Sequence, residues 1–380
     1  MKIGLDARFY GSLQGGIGRY LEELVSALAG LNEAKKHEFY LFLKEDAFKT
    51  FTPPTPNFIP VKANIPWYSL SEQLILPQIL KKVKLDLMHF PHWNVPAFYR
   101  GNYILTIHDL LLLHYPSRRN SQLGPLKYAI KNQVFKKVLK NGIARSKHII
   151  TPSLYTKEDI VKTFNVSEEK ISVINLGTSS LKTNESSQPH PNILKKYGIN
   201  KPFVLYVGVA FPHKNLEGLV EAWKLFMEKY GSQYELVLVG KKNYFYDRLY
   251  EEKIKNKVKN VILTDYVPDN DLTEFYRAAK LYVFPSFYEG FGLPPLEARQ
   301  FGLPVISSWS TCLPEILKNA ASYFDPHNPR AVAEAIHSGL TDLNLKTKLL
   351  EESKKILPLY KWSVTAEKTL ALYERFAVDN

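Results

Sequence analysis

Two carboxylates flank a glycine loop in the second half of the chain. Glu289 precedes the loop Gly290–Leu293, and Glu297 follows it in a predicted helix that opens with two prolines. A loop between an apolar strand and a helix N-terminus binds anions, because N–H groups and the positive end of the helix dipole point outward. Carboxylates instead accept hydrogen bonds from sugar hydroxyls. The pattern therefore predicts a diphosphate held between two sugar rings.

A lysine occupies the loop after an earlier strand of the same half. The segment Gly208–Asn215 places Lys214 near a helix start, where the helix dipole disfavours a positive charge. A bound anion would offset this cost, so Lys214 is expected to bind the diphosphate. The alternative is a lysine that is simply solvated.

Candidate residues in the first half are less specific. Gly16 lies among glycines that open a helix and let a ligand approach the backbone, although a plain turn explains them equally. His108 closes an apolar strand, where it could donate to a substrate oxygen, with a capping Asp109 and a buried histidine as the alternative. His89 and His92 fit either the acceptor side of a cleft or the core.

No metal site is expected. Asp269-Asn270-Asp271 has the spacing of a D-x-D metal motif, but Asp271 and Glu274 also have the spacing of a capping box at a helix start. The capping box accounts for the acidic residues, and no matching carboxylates accompany the histidines.

The elements that position these residues alternate between apolar strands and amphipathic helices in both halves. This order predicts an α/β fold of two doubly wound, Rossmann-like domains that face each other across a cleft. A segment rich in Ser, Asn and Pro separates the halves and predicts a linker. The predicted parts are an N-terminal domain at 1–177, the linker at 178–201, a C-terminal domain at 202–362 and a last helix at 363–380 that can cross back to the first domain.

Composition narrows the cellular setting and the partners. The chain has 380 residues, 45% of them apolar, and a formal charge of +13, which favours a nucleic acid, an anionic membrane or a phosphorylated substrate. A single cysteine, Cys312, excludes an intrachain disulfide and fits a reducing cytosol. We expect no signal peptide and no membrane-spanning helix.

One span is strongly basic. No acidic residue lies between Asp109 and Glu158, and a predicted helix in this span, 125–141, also carries an apolar stripe. Such a helix either lies on an anionic membrane surface or is a solvated face over an ordinary core stripe. Nucleic acid is not expected, because no recognition motif accompanies the charge. The ten cations are Arg118, Arg119, Lys127, Lys131, Lys136, Lys137, Lys140, Arg145, Lys147 and Lys157.

Taken together, the motifs resemble the family-4 retaining glycosyltransferases, which have the GT-B fold. The resemblance covers nearly the whole chain, and the pair Glu289/Glu297 with its glycines is its most specific part. The variant His213-Lys214-Asn215 resembles mannosyl- and rhamnosyltransferases of bacterial polysaccharide synthesis. The matching segments are DARFYGSLQGGIGRY, TIHDL, YVGVAFPHKNLEGLVEAW, FPSFYEGFGLPPLEA and PVISSWSTCLPEI.

The resemblance implies a role for each candidate. Glu289 holds hydroxyls of the donor sugar, Glu297 accepts from the nucleotide ribose, and His108 reaches the transferred sugar. The first domain becomes the acceptor side and the second the nucleotide-sugar side. The diphosphate is bound by Lys214 and the N–H groups of Phe291, Gly292 and Leu293, and Gly16 lets the N-terminal loop approach the phosphate or the acceptor.

One position departs from the family pattern. Many relatives carry an arginine where this chain has Val209, so a second cation for the diphosphate is missing there. Lys241, Lys242 and Arg19 are candidates to replace it. The alternative is that a single cation is sufficient to bind the diphosphate.

The activity implied is retaining transfer of a hexose, mannose or similar, without a metal or a bound cofactor. The donor is a GDP-, UDP- or dTDP-linked sugar, and the acceptor is a hydroxyl of a glycan or lipid-linked glycan. The single cysteine and the basic span 118–147 together predict a cytoplasmic enzyme, peripheral on the inner face of the cell membrane if that span binds lipid. The alternatives are an epimerase on the same fold and a non-catalytic protein that binds membranes or polymers.

Overall fold

A computed structural model describes residues 1–11, 15–116, 124–178 and 191–377, without the side chains at 125–128 and 191. The chain divides into two compact units. The first comprises Met1–Gly177 and Lys361–Asn380, and the second comprises Thr178–Tyr360.

The first unit is built on a parallel sheet whose central strands are buried on both faces, as expected when helices cover the two sides. Its strands are β1 (Lys2–Leu5), β2 (Glu38–Leu43), β3 (Phe58–Lys62), β4 (Leu87–Phe90), β5 (Tyr103–Thr106), β6 (His148–Thr151) and β7 (Ile171–Val173). They lie in the order β3-β2-β1-β4-β5-β6-β7, so the chain reverses its direction across the sheet between β1 and β4.

Helices connect most of these strands, and the longer helices bury one face. Along α1, residues Tyr20, Leu21, Leu24, Val25 and Leu28 form the buried stripe at helical spacing. The helices are α1 (Gly16–Ala29), α2 (Glu45–Thr50), α3 (Leu70–Leu74), α4 (Leu76–Val83), α5 (Leu111–His114), α6 (Pro125–Arg145) and α7 (Leu154–Phe164).

The second unit repeats the design. Its strands are β8 (Phe203–Val207), β9 (Glu235–Val239), β10 (Val261–Leu263), β11 (Leu281–Phe284), β12 (Val305–Ser308) and β13 (Ser322–Phe324), in the order β10-β9-β8-β11-β12-β13. The chain reverses between β8 and β11. Its helices are α8 (Pro191–Lys196), α9 (Leu216–Tyr230), α10 (Tyr244–Leu249), α11 (Asp269–Ala278), α12 (Leu293–Gln300), α13 (Leu313–Leu317), α14 (Pro329–Thr341) and α15 (Leu343–Ile356).

The C-terminal segment belongs to the first unit. Its helix α16 (Trp362–Ala377) packs against α1, with Tyr373 fully buried. Gly177 is required where this segment crosses, because a Cβ there would lie 2.3 Å from the backbone nitrogen of Trp362. Within the described residues, no helix is both long and apolar enough to span a bilayer.

Two parallel, doubly wound units confirm the predicted fold class, and some element boundaries differ. Strand β5 ends at Thr106 rather than at His108, and Ile107 makes the last bond toward β6, from its N–H to the Ile150 carbonyl. Helix α8 and Tyr197 lie within the segment predicted as a linker, and Tyr197 packs on Phe275 of α11.

The capping box predicted at Asp271 was wrong. Helix α11 begins two residues earlier, after Pro268, and the Asp271 carboxylate accepts hydrogen bonds from Lys196 Nζ at 2.9 Å and Tyr197 Oη at 2.8 Å. Partners from a distant segment therefore replaced the local N–H groups that the spacing predicted.

Candidate active site

Two loops of the second unit meet where β8 and β11 end, at the point where the sheet order reverses. Ligands of doubly wound sheets bind at this edge. The Phe287 N–H donates to the His213 carbonyl at 2.8 Å, which joins the two loops. Asn215, buried and at φ 57°, donates from Nδ2 to the carbonyls of Pro285 at 3.2 Å and Pro326 at 2.9 Å. Sequence reasoning gave Asn215 no role, although asparagine is one of the few non-glycine residues that often adopt a left-handed backbone.

Lys214 and Glu289 form an ion pair at this edge. Lys214 Nζ lies 2.6 Å from Glu289 Oε1, and the two side chains are 17% and 11% exposed. The sequence predicted separate tasks for them, and the structure brings them into contact. Because Lys214 already has an anionic partner, any phosphate that binds it must compete with Glu289.

The backbone of Glu289 is held from the loop after β12. The Thr311 hydroxyl accepts from the Glu289 N–H and donates to the Glu289 carbonyl, both at 3.0 Å, and Cys312 Sγ donates to the same carbonyl at 3.2 Å. Burial raises the pKa of the Cys312 thiol, so it stays a neutral donor. Thr311 is a positioning residue that no pattern in the sequence indicated.

The glycine loop turns sharply into α12. Gly292 has φ 91°, and a Cβ there would lie 2.8 Å from Leu313 Cδ2, so a side chain is excluded by both strain and space. The helix begins at Leu293 with prolines in its first turn. The first N–H groups of a helix lack intrahelical partners, so those of Gly292 and Leu293 are suited to an anion.

Glu297 lies on the buried side of α12. It is 2% exposed and accepts a hydrogen bond from the Tyr276 hydroxyl of α11 at 3.1 Å. Burial raises the pKa of Tyr282 well above its usual value, and the charges of Glu297 and Glu289 add to this shift. Tyr282 therefore lies within electrostatic range of both carboxylates.

A cavity of about 220 Å³ opens at the carboxyl ends of β9 and β10. The Tyr246 hydroxyl in its wall donates to the Gly208 carbonyl at 2.6 Å, which connects the cavity to the Lys214 loop. Gly240 is required at this junction, because a Cβ would lie 2.0 Å from the Gly208 oxygen. The lining residues are Gly240, Lys242, Tyr246, Asp247, Tyr250, Leu263 and Asp265.

The candidates for a second cation differ in position. Lys242 lies at the cavity rim, 67% exposed, with Nζ 3.4 Å from Asp247 Oδ1. Lys241 is exposed beside it. Arg19 belongs to α1 of the first unit.

His108 of the first unit is neutral and oriented. Burial lowers the pKa of His108 to about 4, and Nε2 lies 3.1 Å from the Pro91 carbonyl. A carbonyl can only accept, so Nε2 carries the proton and Nδ1 is left as an acceptor. Asp109 accepts from the Leu111 N–H at 2.9 Å, as expected for a residue that caps a turn.

Of the other candidates in the first unit, His89 lies in the core and Gly16 lies at the surface. His89 is fully buried, with Nδ1 2.7 Å from the Tyr373 hydroxyl and Nε2 2.7 Å from the Thr106 hydroxyl, so it is a core residue. Gly16 is exposed at the start of α1, and a Cβ there would meet no atom of the described residues within 4 Å.

Helix α6 has a core face and a basic face. Phe135 packs edge-on against Trp93 at 4.6 Å, and Leu139 and Ile143 are buried below it. The opposite face exposes the apolar Ile130 and Val134 beside the exposed Lys131, Lys136, Lys137 and Lys140. Arg118 and Arg119 lie outside the described residues. Arg145 and Lys157 instead have protein partners, the Ala97 carbonyl and Glu168.

Each of the two units matches a known protein family. Residues 14–179 match the family described as Glycosyltransferase Family 4, and residues 190–356 match Glycosyl transferases group 1. The chain is 29% identical to the O-antigen chain mannosyltransferase B of Escherichia coli, over 94% of this chain and 96% of that protein. It is 30% identical to the O-antigen chain mannosyltransferase RfbU of Salmonella typhimurium, over 71% of this chain and 69% of that protein.

The fold also matches solved structures. The HepE protein of Anabaena in complex with UDP-glucose superposes with a TM-score of 0.73 at 17% identity, over 98% of this chain and 99% of that chain. At this identity the similarity concerns the fold.

Proposed function

This chain belongs to the glycosyltransferases, with a family 4 half and a group 1 half in the GT-B fold, and from that premise we propose that it transfers mannose or a similar hexose. The donor is a nucleotide-diphosphate sugar, and the acceptor is a hydroxyl of a glycan or lipid-linked glycan. The observation that carries the proposal is the Lys214–Glu289 pair at the edge where the sheet reverses. The family predicted from the motifs is confirmed.

The names of the relatives support the choice of sugar and acceptor. Two of them are O-antigen chain mannosyltransferases, which supports mannose as the sugar and a polysaccharide as the acceptor. The HepE structure contains UDP-glucose, which supports a nucleotide sugar as the class of donor.

The proposed reaction begins with an exchange of partners. The donor diphosphate binds to Lys214 and to the N–H groups of Phe291, Gly292 and Leu293. The released Glu289 carboxylate then accepts hydrogen bonds from hydroxyls of the donor sugar. The nucleotide extends from this point, with its ribose toward Glu297 and its base in the cavity lined by Tyr246 and Tyr250, where aromatic rings can stack on the base.

The chemical step is retaining and needs no metal in this scheme. The bond between the sugar and the diphosphate breaks, and the acceptor oxygen bonds to the same face of the sugar. The departing diphosphate takes the acceptor proton. Lys214 and the α12 dipole stabilise the charge that develops on the diphosphate. His108 contributes the polar contact to the transferred sugar, and Gly16 lets the N-terminal loop approach.

A thermal-shift screen tests this proposal. GDP, UDP, dTDP and ADP are compared at one common concentration, and at least one should give a clear rise in Tm, because a ligand present at about 100 times its Kd stabilises the folded state by about 2.7 kcal/mol. The corresponding nucleotide sugar should then be consumed in the presence of a glycan acceptor. A non-catalytic protein would show neither result. An epimerase would convert the donor without an acceptor, so product analysis separates it from a transferase.

We also propose that the basic face of α6 holds the enzyme on the cytoplasmic surface of the membrane, near a lipid-linked acceptor. Four exposed lysines surround the exposed Ile130 and Val134, which combines charge with apolar contact. Each lysine near an anionic surface contributes about 1 kcal/mol.

Changing Lys131, Lys136, Lys137 and Lys140 to Gln should therefore reduce co-sedimentation with phosphatidylglycerol vesicles at least ten-fold at low salt. The matched control changes four exposed lysines of the second unit, Lys253, Lys259, Lys348 and Lys354, and should leave sedimentation nearly unchanged. An equal loss of co-sedimentation in both variants would show that only the net charge of the protein matters, and it would reject this face of α6 as the membrane-binding site.

A further inference from the structure

The sheet of the first unit also has a reversal point, between β1 and β4, and the proposed function leaves it without a ligand. Asp6 and Arg8 follow β1, and His92–Asn94 follow β4. Reversal points are where doubly wound sheets bind ligands. His92 adjoins the proposed catalytic contact, because the neighbouring Pro91 carbonyl accepts from His108 Nε2.

A buried ionic network shapes this point. Arg8 binds Asp6 through two bonds, Nε–Oδ1 at 2.7 Å and NH2–Oδ2 at 2.6 Å, and its NH2 also lies 2.7 Å from Glu72 Oε1. The side chains of Arg8, Asp6 and Glu72 are 1%, 7% and 0% exposed. Such a network is rigid, because breaking one bond leaves a buried charge unpaired.

The network holds Tyr68 in a strained conformation. Glu72 Oε2 accepts from the Tyr68 N–H at 2.7 Å and from Asn94 Nδ2 at 2.5 Å. Tyr68 has φ 58°, a backbone region unfavourable for a bulky residue. The ring is nevertheless 53% exposed and stacks on Trp93, with centroids 5.4 Å apart at 23°. The strain is thus used to present an aromatic face at the surface.

Buried polar groups cluster beside this ring. Arg8 NH1, Trp67 Nε1 and His92 Nδ1 are buried and have no hydrogen-bond partner within the described part of the chain. Phe9 lies between two of these residues, with its ring 4.2 Å from that of Trp67 and 5.2 Å from that of His92. Buried polar atoms without partners are costly, and hydroxyl groups of a ligand or its bound water, which both donate and accept, would supply the missing partners.

We infer that Tyr68, with Trp67 and Trp93, is the platform for a pyranose ring of the glycan acceptor. A pyranose has C–H faces that pack on aromatic rings and an edge of hydroxyls that needs hydrogen-bond partners, which is the combination present here. The inference rests on the proposed function. The ring is assigned to the acceptor because the residues proposed to bind the donor diphosphate and ribose, Lys214 and Glu297 among them, belong to the other unit.

The test uses the full-length chain and equilibrium binding to synthetic mannose- and rhamnose-containing oligosaccharides on hydrophilic, lipid-free linkers. Tyr68→Gly removes the ring and relieves the strained φ, so its Tm should equal or exceed that of the wild type while affinity for the bound oligosaccharide falls about ten-fold or more. Tyr68→Phe keeps the ring and should bind within about two-fold of the wild type. Phe98→Ala removes another exposed aromatic ring of the same unit and should change neither value.

Several results would overturn the inference. One is wild-type oligosaccharide affinity in Tyr68→Gly. Another is a loss seen only in a parallel measurement with the same oligosaccharides on an alkyl linker, which would assign the exposed Leu70 and Leu74 nearby to a lipid instead. A third is a wild-type chain that binds none of the oligosaccharides. In that last case a nucleotide-dependent thermal shift would still support the proposed function, whereas its absence as well would remove both.

Discussion

Replacing Glu289 with glutamine is expected to lower kcat by roughly 100- to 1000-fold. The carboxylate is proposed to accept hydrogen bonds from two donor-sugar hydroxyls, and a bond to a charged group contributes about 1.5–3 kcal/mol against about 1 kcal/mol for a neutral one. Weakening two such bonds where the transition state needs them changes the rate by orders of magnitude. The fold should persist, because the Glu289 backbone is held by Thr311 and the glutamine keeps an oxygen for Lys214.

The same substitution should not weaken binding of the free nucleoside diphosphate. In the structure Glu289 occupies Lys214 at 2.6 Å, so removing its charge frees the lysine for phosphate. Calorimetry with the diphosphate that performs best in the thermal-shift screen should give an equal or lower Kd, while steady-state kinetics gives the loss in kcat. Glu251→Gln, which breaks an exposed pair with Lys255 in the same unit, is the matched control and should alter neither value. Near-normal transfer by Glu289→Gln would refute its proposed role.

Replacing Lys214 with glutamine is expected to reduce kcat/KM about 1000-fold or more. The lysine binds the diphosphate in the ground state and stabilises its charge as the sugar departs, and loss of a single preorganised donor of this kind costs about 100- to 1000-fold in kcat alone. The variant also leaves the Glu289 carboxylate without its cation beside the phosphate, which adds repulsion. Lys214→Arg should retain part of the binding, since the charge is kept while its geometry changes.

A double-mutant cycle separates these two effects. If Glu289 repels the phosphate once Lys214 is gone, Lys214→Gln/Glu289→Gln should bind the nucleoside diphosphate more tightly than Lys214→Gln while remaining inactive. Kd from calorimetry and kcat from product formation are measured on all four chains. Strictly additive changes in binding free energy would show that the ion pair does not couple to the nucleotide.

The resting ion pair has a physical rationale. Lys214 and Glu289 are proposed to bind different parts of the donor. Without the donor, each charged side chain would lack a partner in a partly buried site. Pairing them offsets that cost and keeps both side chains at the point of reaction. Only a ligand that offers both an anion and hydroxyl groups can replace both partners, so the exchange favours an intact nucleotide sugar over phosphate or free sugar.

Sequence reasoning worked where the cause is local. The predicted alternation of apolar strands and amphipathic helices is present in both units, because buried strands such as β9 and β11 need consecutive apolar residues. It failed at Asp271, where the spacing of a capping box was real but Lys196 and Tyr197 offered better donors. A local sequence pattern therefore predicts the wrong hydrogen-bond partner when a tertiary contact offers a better one.

The sequence by itself determined the two α/β units, the family and the chemical types at the site, because each depends on residues close together in the chain. Only the tertiary structure decided which of these residues meet. Lys214 pairs with Glu289 across 75 positions, and His89 is a core residue because Tyr373, 284 positions away, accepts or donates at its ring. Glu72, which holds the Tyr68 backbone, lies only four positions away, but its buried side chain is fixed by Arg8 from a distant segment of the chain. Such pairings depend on how strands and helices pack, and residue spacing along the chain does not encode them locally.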